Sequence, residues 1–342
     1  MRTVHVKTSR EYDIVIGRGL TLPKADRPGR KLALVADDRV WSLYGVQTQA
    51  KLADGGYRVV PYTFPHGEAS KNMGELGKLL EFLAAEHFTR TDMIAALGGG
   101  VTGDMAGFAA AVYLRGIEFI QLPTTLLAAV DSSVGGKTAV DLQAGKNLAG
   151  AFWQPSGVYC DCDTFKTLEP DVWADGMAEA IKYGAILDRD LFECFEKGFA
   201  EAEYPDMIAA CVSIKRDVVE EDERDTGKRQ LLNFGHTLGH GVEKCSDYQV
   251  SHGHAVAIGM VLAAKLAEKI GFSDEPCHER LEALLLKNNL PIATKIPITD
   301  LVQTAAVDKK RKGDKLTLIL PKRIGDCRLY DIQINELEGL LS

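Results

Sequence analysis

One stretch decides how the first half of the chain folds: Met93-Ile-Ala-Ala-Leu97-Gly98-Gly99-Gly100-Val-Thr-Gly103-Asp104. Its apolar run predicts a buried strand, its glycines predict a turn, and the Ala-rich sequence after it predicts a helix. Backbone N–H groups at such a turn can approach a pyrophosphate at the positive end of the helix. The spacing Gly98-x-Gly100-x-x-Gly103 matches the dinucleotide-binding fingerprint, but that fingerprint belongs to the first strand of its unit. A tight structural turn is therefore an equal alternative.

Outward from this stretch, apolar β-branched runs alternate with helical patterns. The strand patterns cover 32–36, 58–64, 93–97 and 117–122, and the helical patterns cover 73–87 and 104–114. This alternation predicts an α/β fold with a parallel Rossmann-like sheet and helices on both faces. Residues 1–17 alternate apolar and polar side chains around Thr8-Ser9-Arg10, which predicts a hairpin and not a targeting segment.

Beyond about residue 163, amphipathic helical patterns replace the strands. They cover 174–187, 206–221, 236–244, 253–270 and 275–287, with one late strand at 316–320. We therefore predict an α/β domain over residues 1–163 and a mainly α-helical domain over residues 164–342. A cleft between two such lobes is the default place for a ligand.

Composition and charge argue against several classes of protein. Forty Lys and Arg against forty-eight Asp and Glu give a net charge of -8, which repels nucleic acid and anionic membrane. The longest stretch without these residues, 248–264, contains two His and is too polar to span a membrane. Seven scattered Cys are typical of reduced thiols in the cytosol. The expectation is a cytoplasmic enzyme that binds neither nucleic acid nor membrane.

A second Gly-rich block indicates an anionic ligand. Asp131-Ser-Ser-Val-Gly-Gly-Lys137-Thr resembles the end of a P-loop, but Asp131 stands where that motif needs its first glycine, which argues against an ATPase. Lys137, Lys146 and Asn147 lie in otherwise mostly uncharged sequence, where a cation favours an anionic ligand or a carboxylate such as Asp131 or Asp141. Each lysine alone is better explained as a solvated loop charge. Together they indicate an anionic substrate.

Histidine density gives the strongest chemical indication. His236, His240, His252 and His254, half of the eight histidines, fall within nineteen residues. Neutral imidazole is the commonest metal ligand, and Glu179 in a separate helical pattern is the natural third candidate. The pair His236-Thr-Leu-Gly-His240 lacks the Glu that a zinc peptidase carries after its first His. The cluster therefore predicts a metal site but not a peptidase.

Over nearly its whole length the chain resembles the 3-dehydroquinate synthase family. The resemblance rests on blocks that occur in the family's order: Pro65-His-Gly-Glu68-Ala-Ser-Lys71, Gly98-Gly-Gly-Val-Thr-Gly-Asp104, Pro123-Thr124-Thr125-Leu-Leu-Ala, Asp131-Ser-Ser-Val-Gly-Gly-Lys137-Thr, Gly145-Lys146-Asn147-Leu, Leu231-Leu-Asn233-Phe-Gly-His236-Thr-Leu-Gly-His240 and His252-Gly-His254-Ala-Val-Ala-Ile-Gly-Met260. The first domain would then bind NAD, and the second would bind metal and substrate.

The resemblance also implies roles for individual residues. The metal, zinc or cobalt, would be bound by Glu179, His236 and His252. NAD would be held by Asp37, Glu68, Lys71, Gly99, Gly100, Val101, Asp104, Thr124, Thr125, Asp131, Lys137, Lys146 and Thr167. Substrate would contact Arg115, Lys137, Lys146, Asn147, Lys182, Lys215, Arg229, Asn233, His240 and Lys310, the last in competition with Lys309. Catalysis would involve Asp131, Lys137, Lys182, Asn233 and His240.

Two predicted roles depend on the resemblance: the partner of the adenosine ribose and the function of His254. Fingerprint spacing leaves Glu118 and Asp37 open as the partner of the adenosine ribose, and the resemblance selects Asp37. The family usually reads His-Gly-Glu where this chain reads His252-Gly-His254. We expect His254 to hydrogen bond beside the metal and not to bind it.

The implied reaction converts 3-deoxy-D-arabino-heptulosonate 7-phosphate, a phosphorylated 2-keto sugar acid, into 3-dehydroquinate and phosphate. It would proceed by transient oxidation with NAD, phosphate elimination, re-reduction, ring opening and intramolecular aldol closure, in a homodimer. Three alternatives remain open at this point: a metal-dependent polyol dehydrogenase of the glycerol dehydrogenase kind, a related sugar phosphate cyclase, and a non-catalytic NAD-dependent sensor or scaffold.

Overall fold

A computed structural model describes residues 1–309 and 315–341, with the side chains of 306–309 left out. The chain separates into two compact units. The first comprises Met1–Leu168 and Tyr204–Arg216, and the second comprises Glu169–Glu203 and Asp217–Ser342. The functional division after residue 163 stays a prediction.

The first unit is organised around a seven-stranded sheet. Its strands are β1 (Arg2–Val6), β2 (Tyr12–Gly17), β3 (Lys31–Asp37), β4 (Arg58–Phe64), β5 (Met93–Gly98), β6 (Glu118–Pro123) and β9 (Val158–Asp161), in the order β1-β2-β9-β6-β5-β3-β4. Only β1 and β2 pair antiparallel, which confirms the N-terminal hairpin. The central strand β5 is buried along its whole length, as expected for a parallel strand covered on both faces.

Helical segments cover this sheet and bury its two faces. They are Asp38–Val40, Trp41–Gly45 and Val46–Asp54 in one run, then Glu68–Ser70, Met73–Ala85, Gly100–Val112, Tyr113–Arg115, Ala128–Ser132 and Cys162–Thr167. One apolar cluster includes Leu79, Ile94 and Met105, and another includes Leu34, Leu52 and Ala95. Ile94 and Ala95 are neighbours in β5 that contribute to different clusters, so the strand has a core on each face.

The first unit also contains a hairpin that the sequence patterns did not predict. Strands β7 (Lys137–Leu142) and β8 (Gly145–Phe152) pair antiparallel in a separate two-stranded sheet. Lys137 follows two glycines, and β8 begins with Gly145, Lys146 and Asn147, so the local sequence favours a loop. Its closeness to helix Gly100–Val112 provides the packing that local propensity does not indicate.

The second unit is mainly helical, as predicted. Its helical segments are Pro170–Leu187, Arg189–Lys197, Glu201–Glu203, Lys228–Asn233, His236–Cys245, His252–Lys269, His278–Lys287, Ile298–Lys309 and Ile334–Leu341, while helix Tyr204–Glu221 belongs to the first unit up to Arg216. Helix Pro170–Leu187 is buried from Gly176 to Ile186, so it is a core helix and the predicted amphipathic pattern is wrong there. Throughout the described residues, no helix is long and apolar enough to cross a membrane.

The single late strand predicted for this unit is half of a hairpin. Strands β10 (Lys315–Arg323) and β11 (Asp326–Gln333) pair antiparallel around the turn at Gly325. The sequence of β11, Asp-Cys-Arg-Leu-Tyr-Asp-Ile-Gln, carries too few apolar residues to be recognised alone. Pairing with the more apolar β10 decides its conformation.

Candidate active site

The glycine turn after β5 leaves the start of a long helix open to an anion. Gly99 is the N-cap of helix Gly100–Val112, and no side chain of the described residues caps it. Its first backbone N–H groups therefore remain available to a phosphate. A Cβ on Gly98 would lie 2.4 Å from Thr102 Oγ1, and one on Gly103 would lie 2.6 Å from Gln121 Oε1. Packing thus requires glycine at position 98, whereas at position 103 the end of the Gln121 side chain would have to move. The turn is also suited to bind pyrophosphate.

Strand direction distinguishes the two candidates for the ribose partner. Asp37 is the last residue of β3, whereas Glu118 is the first residue of β6, and both strands run parallel to β5. Asp37 therefore lies at the same edge of the sheet as the glycine turn, and Glu118 lies at the opposite edge. The Glu118 carboxylate is already paired with Arg10 and Arg30. This geometry supports Asp37.

Hydrogen bonds around the buried Lys71 bring together several predicted cofactor and substrate residues. Lys71 Nζ donates to Asp104 Oδ2 and to Asn147 Oδ1, both at 2.6 Å. The Asn147 backbone N–H donates to Asp141 Oδ1 at 2.7 Å, and Asp141 also hydrogen bonds Glu68. Burial raises the pKa of Asp104 despite the nearby Lys71 ammonium. We call the glycine turn 98–103, Asp37, Glu68, Lys71 and Asp104 the nucleotide cluster.

A second pair in this unit joins two predicted site residues that are far apart in sequence. Lys215 Nζ donates to the backbone oxygen of Asp131 at 2.8 Å and to Asp131 Oδ1 at 2.7 Å. The side chain of Lys215 is buried. The pair lies within the first unit, which includes Tyr204–Arg216, a segment that the sequence predicted in the second domain.

The remaining predicted residues of the first unit differ in their surroundings. Thr124 N–H donates to Gly98 O at 3.0 Å, and Thr125 Oγ1 accepts from Ala128 N–H at 3.1 Å. Thr167 Oγ1 hydrogen bonds the Tyr44 hydroxyl. The rest lie within the elements described above: Gly100, Val101, Arg115, Lys137 and Lys146, of which Arg115 and Lys137 are exposed.

In the second unit, three helices place three ligand atoms around one point. Glu179 lies on helix Pro170–Leu187, His236 opens helix His236–Cys245, and His252 opens helix His252–Lys269. Glu179 Oε1 is 3.5 Å from His236 Nε2 and 3.6 Å from His252 Nε2, and the ligand atoms of all three residues lie within 4.8 Å of one another. One carboxylate and two imidazoles are a usual zinc or cobalt donor set. We call these three residues the metal cluster.

The other nitrogen of each imidazole has its own protein partner. His236 Nδ1 lies 3.1 Å from the Phe234 carbonyl oxygen, and His252 Nδ1 lies 3.2 Å from Glu243 Oε2. Donation from Nδ1–H to these acceptors leaves the Nε2 lone pair facing Glu179. Such backing fixes the tautomer and orientation of a metal-binding histidine. The donor set and its orientation fit a divalent ion.

Two shifted pKa values reflect the same surroundings. Burial lowers the pKa of His236 to about 3, and the nearby Lys182 ammonium contributes in the same direction. Burial also opposes charge on His252, but the hydrogen bonds that its ring donates to the Glu179 and Glu243 carboxylates outweigh this effect and raise the pKa to about 10. His252 thus lies between two carboxylates that favour a cation, whether a proton or a metal ion.

Lys182 and His240 border the metal cluster. Lys182 is buried one turn after Glu179 and pairs with Glu179 Oε2. The His240 ring centroid is 5.6 Å from that of His236 and 6.0 Å from that of His252. His240 and Glu243 also form a possible donor group with His252. Because Glu243 faces Nδ1 of His252 while Glu179 faces Nε2, this second group lies on the other side of the ring.

His254 pairs with a residue that the sequence did not single out. Its Nδ1 lies 2.8 Å from Asp175 Oδ1 and 2.8 Å from Ser251 Oγ. The hydrogen bond with Asp175 raises the pKa of His254. His254 belongs to neither possible metal-binding group of the described residues, in keeping with the expectation that it does not bind the metal.

Arg229 is held by a loop that closes around one carboxylate. Asp222 accepts hydrogen bonds from the N–H groups of Thr226, Gly227 and Arg229 at 2.9, 2.7 and 3.1 Å. These bonds lower the pKa of Asp222 to about 2. The Arg229 guanidinium, which is buried, donates to Glu223 O at 2.6 Å. Asn233 ends the helical turn Lys228–Asn233, and Lys310 lies outside the described residues.

The residues missed from sequence are partners of predicted ones. Glu243 is the clearest case, and a pattern for it existed: His236, His240 and Glu243 are spaced four and three residues apart, which places them on one helical face. Asp175 and Glu179 are likewise four residues apart in one helix. Nothing local marks Asp222, because its role depends on the path of the following loop.

Two family profiles cover most of the chain. The profile described as "3-dehydroquinate synthase N-terminal" matches residues 61–175, and "3-dehydroquinate synthase C-terminal" matches residues 176–311. A 3-dehydroquinate synthase of Clostridium acetobutylicum is 42% identical over 98% of both chains.

Solved structures of two related enzymes agree with this fold. A 2-deoxy-scyllo-inosose synthase complexed with carbaglucose-6-phosphate, NAD+ and Co2+ superposes with a TM-score of 0.89, at 26% identity and 99% coverage of both chains. A 2-epi-5-epi-valiolone synthase from Streptomyces hygroscopicus with NAD+ and Zn2+ bound gives a TM-score of 0.88, at 27% identity, over 99% of this chain and 98% of its own. The α/β and helical fold class predicted from sequence is confirmed.

Proposed function

This chain belongs to the 3-dehydroquinate synthase family, and from that premise we propose that the nucleotide cluster and the metal cluster are its cofactor sites. Its reaction converts 3-deoxy-D-arabino-heptulosonate 7-phosphate into 3-dehydroquinate and phosphate, the second step of the shikimate pathway. The chain is thus a phosphate-eliminating carbon–oxygen lyase that uses NAD and a divalent metal ion. The convergence of Glu179, His236 and His252 carries the residue assignment.

The metal cluster would hold the ion through Glu179 Oε1 and the Nε2 atoms of His236 and His252. When bound, NAD supplies reversible hydride transfer and the metal ion supplies Lewis-acid polarisation of a substrate oxygen. The chain's own contribution is orientation: Phe234 O and Glu243 keep the imidazole protons on Nδ1, so both Nε2 atoms face the ion. Lys182 balances part of the negative charge of Glu179.

The nucleotide cluster would bind NAD through backbone and carboxylate groups. Asp37 would accept from the adenosine ribose hydroxyls, and the N–H groups of Gly99, Gly100 and Val101 would face the pyrophosphate. The open helix start and the position of Asp37 at the same sheet edge support this assignment. Further contacts would come from Glu68, Lys71, Asp104, Thr124, Thr125, Asp131, Lys137, Lys146 and Thr167.

Cations would recognise the phosphate and the carboxylate of the substrate. Charge-assisted hydrogen bonds from lysine and arginine bind such oxyanions more strongly than hydrogen bonds between neutral groups. Those of the first unit would be Arg115, Lys137, Lys146 and Lys215, and those of the second unit would be Lys182, Arg229 and Lys310. Asn147, Asn233 and His240 would add hydrogen bonds, and Asp131, Lys137, Lys182, Asn233 and His240 would take part in catalysis.

A homodimer in the cytoplasm completes the proposal. The free state of all seven cysteines supports a reducing compartment. The dimer is expected from the family and is tested by light scattering of the purified protein.

Phosphate release tests the proposed function. The purified chain should release phosphate from the heptulosonate phosphate with catalytic NAD, lose that activity after chelation, and regain it with Zn2+ or Co2+. Sustained NADH formation from glycerol would instead indicate a polyol dehydrogenase. Turnover of glucose 6-phosphate or sedoheptulose 7-phosphate would indicate another cyclase. Phosphate release at full rate without NAD would contradict the proposed chemistry.

A further inference from the structure

A single carboxylate joins the helix of Glu179 to the helix of His252. Asp175 lies one turn before Glu179 on helix Pro170–Leu187. Its Oδ1 accepts from Ser251 Oγ at 2.6 Å, from the His254 backbone N–H at 3.0 Å and from His254 Nδ1 at 2.8 Å. Ser251 and His254 flank His252 on either side. We call Asp175, Ser251 and His254 the latch.

The latch takes over the capping of helix His252–Lys269. Ser251 is the N-cap residue, but its side chain makes no cap hydrogen bond and instead donates to Asp175. Asp175 accepts the His254 N–H that a capping side chain would otherwise take. The first turn of this helix, which carries His252, is therefore oriented by a residue of the neighbouring helix.

The two backbones also touch at this point. A Cβ on Gly253 would lie 2.4 Å from both Cα and O of Asp175. Only glycine permits that approach without displacing the helix start. Contact and hydrogen bonds together fix the position of His252 relative to Glu179, four residues beyond Asp175.

We propose that the latch positions His252 for the metal and that Asp175 and His254 act as a matched pair. His254 is a positioning residue that acts through Asp175. A carboxylate at position 254 would repel Asp175, whereas the ring of His254 can donate to it from Nδ1, so His254 suits the Asp175 of this chain. The inference rests on the proposed metal cluster.

Metal titration of the full-length apoprotein tests the latch. Asp175→Ala should weaken binding of Co2+ and of Zn2+ about tenfold and alter the visible absorption of bound Co2+, because the positioning of a metal-binding histidine affects affinity by about this much. Asp175→Asn should recover most of the affinity, since its amide oxygen can accept from the same three donors: Ser251 Oγ, the His254 backbone N–H and His254 Nδ1. Affinity and spectrum equal to wild type in Asp175→Ala would overturn the inference.

Asp188→Ala is the matched control. Asp188 Oδ1 caps helix Arg189–Lys197 by accepting from Leu191 N–H at 2.9 Å in the same unit. Its loss should lower thermal stability and leave metal affinity unchanged. An equal loss of affinity in this control would mean that the Asp175 effect reflects general loosening, and the latch would be rejected.

A charge exchange tests the pair itself. His254→Glu should weaken Co2+ binding, and the double variant Asp175→Asn with His254→Glu should restore it, because the amide can donate to the new carboxylate. His254→Glu with wild-type affinity would overturn the matched pair. If Asp175→Ala does not fold, Co2+ binding is measured in Ser251→Ala and His254→Ala instead. Weaker binding in these variants would support the latch, and unchanged binding would reject it.

Failure of the latch and failure of the metal assignment give different results. If wild-type binding of Co2+ does not depend on Glu179, the proposed metal cluster is wrong. If it depends on Glu179 but not on Asp175, Ser251 or His254, only the latch is wrong.

Discussion

The nucleotide cluster and the metal cluster are built in different ways. The first combines the backbone N–H groups of the turn after β5 with carboxylates, of which Asp37 ends β3, so a short glycine motif already marks its place. The second uses side chains from three helices separated by up to 73 positions, Glu179 to His252. Each of its three side chains has a separate partner: Lys182 for Glu179, the Phe234 carbonyl for His236, and Glu243 for His252. A site of the first kind depends mainly on backbone path, whereas one of the second kind depends on helix packing.

The largest difference between an effect on metal affinity and an effect on NAD affinity is expected when Glu179 is replaced. Glu179→Ala removes the only carboxylate of the metal cluster and leaves Lys182 buried without its partner. The dissociation constant for Co2+ should rise by about 100-fold or more, equivalent to ~3 kcal/mol, while NAD affinity stays within about twofold of wild type. Calorimetry with Co2+ and fluorescence titration with NAD measure the two.

Glu193→Ala, which removes an exposed carboxylate paired with Arg189, should change neither affinity. An equal fall in NAD and Co2+ affinity in Glu179→Ala would show that the two clusters do not act independently.

Lys71→Met should lower NAD affinity and folding stability by disrupting the nucleotide cluster, and it should leave the metal cluster intact. It leaves the mostly buried Asp104 carboxylate without its ammonium partner, which costs about 3 kcal/mol of folding free energy. NAD should bind about tenfold more weakly as Asn147 also loses its donor. Urea unfolding and NAD titration measure these losses. The exposed Lys51→Met is the control, and an unchanged urea midpoint in Lys71→Met would contradict the buried pair.

Glu243→Ala tests whether the orientation of the His252 ring affects metal affinity when all three proposed metal-binding residues are kept. The carboxylate touches the far nitrogen of His252, so its loss should weaken Co2+ binding by about tenfold, less than loss of Glu179. Glu243→Gln keeps an acceptor for Nδ1–H and should recover most of the affinity. A Co2+ affinity in Glu243→Ala as low as in Glu179→Ala would indicate that Glu243 is itself a ligand.

The smallest effect is expected at Asp222→Asn. An amide replaces a carboxylate that accepts three backbone N–H groups, so stability should fall on the order of 1 kcal/mol. The folded pKa of Asp222 is lowered to about 2, so its contribution is complete above about pH 4 and is lost as the pH falls through about 2.

The difference in urea midpoint between wild type and Asp222→Asn should therefore shrink as the pH falls below about 4. A difference that is constant with pH would show that the charge of Asp222 does not hold the loop. A higher KM for the heptulosonate phosphate with kcat retained would link the loop to substrate binding through Arg229.

The amino-acid sequence by itself determined the alternating α/β pattern, the glycine turn, most helices of the second unit and the identity of the histidine group. These features are local, because hydrophobic periodicity and turn preferences depend on residues that lie close together in the sequence. The sequence also placed Glu179 beside the histidines as a candidate ligand, through helical context and family resemblance.

Tertiary structure alone decided which partners surround those residues. The hairpin of β7 and β8, the second strand of the late hairpin and the pairing of Lys215 with Asp131 all join segments whose local patterns are weak. Packed helices brought the Asp175 carboxylate against His254. Glu243 shares a helical face with His236 and His240 in the sequence, but only the packing of two helices set its carboxylate against His252. Helix packing sets such contacts through the summed fit of many side chains, and no short sequence pattern encodes that sum.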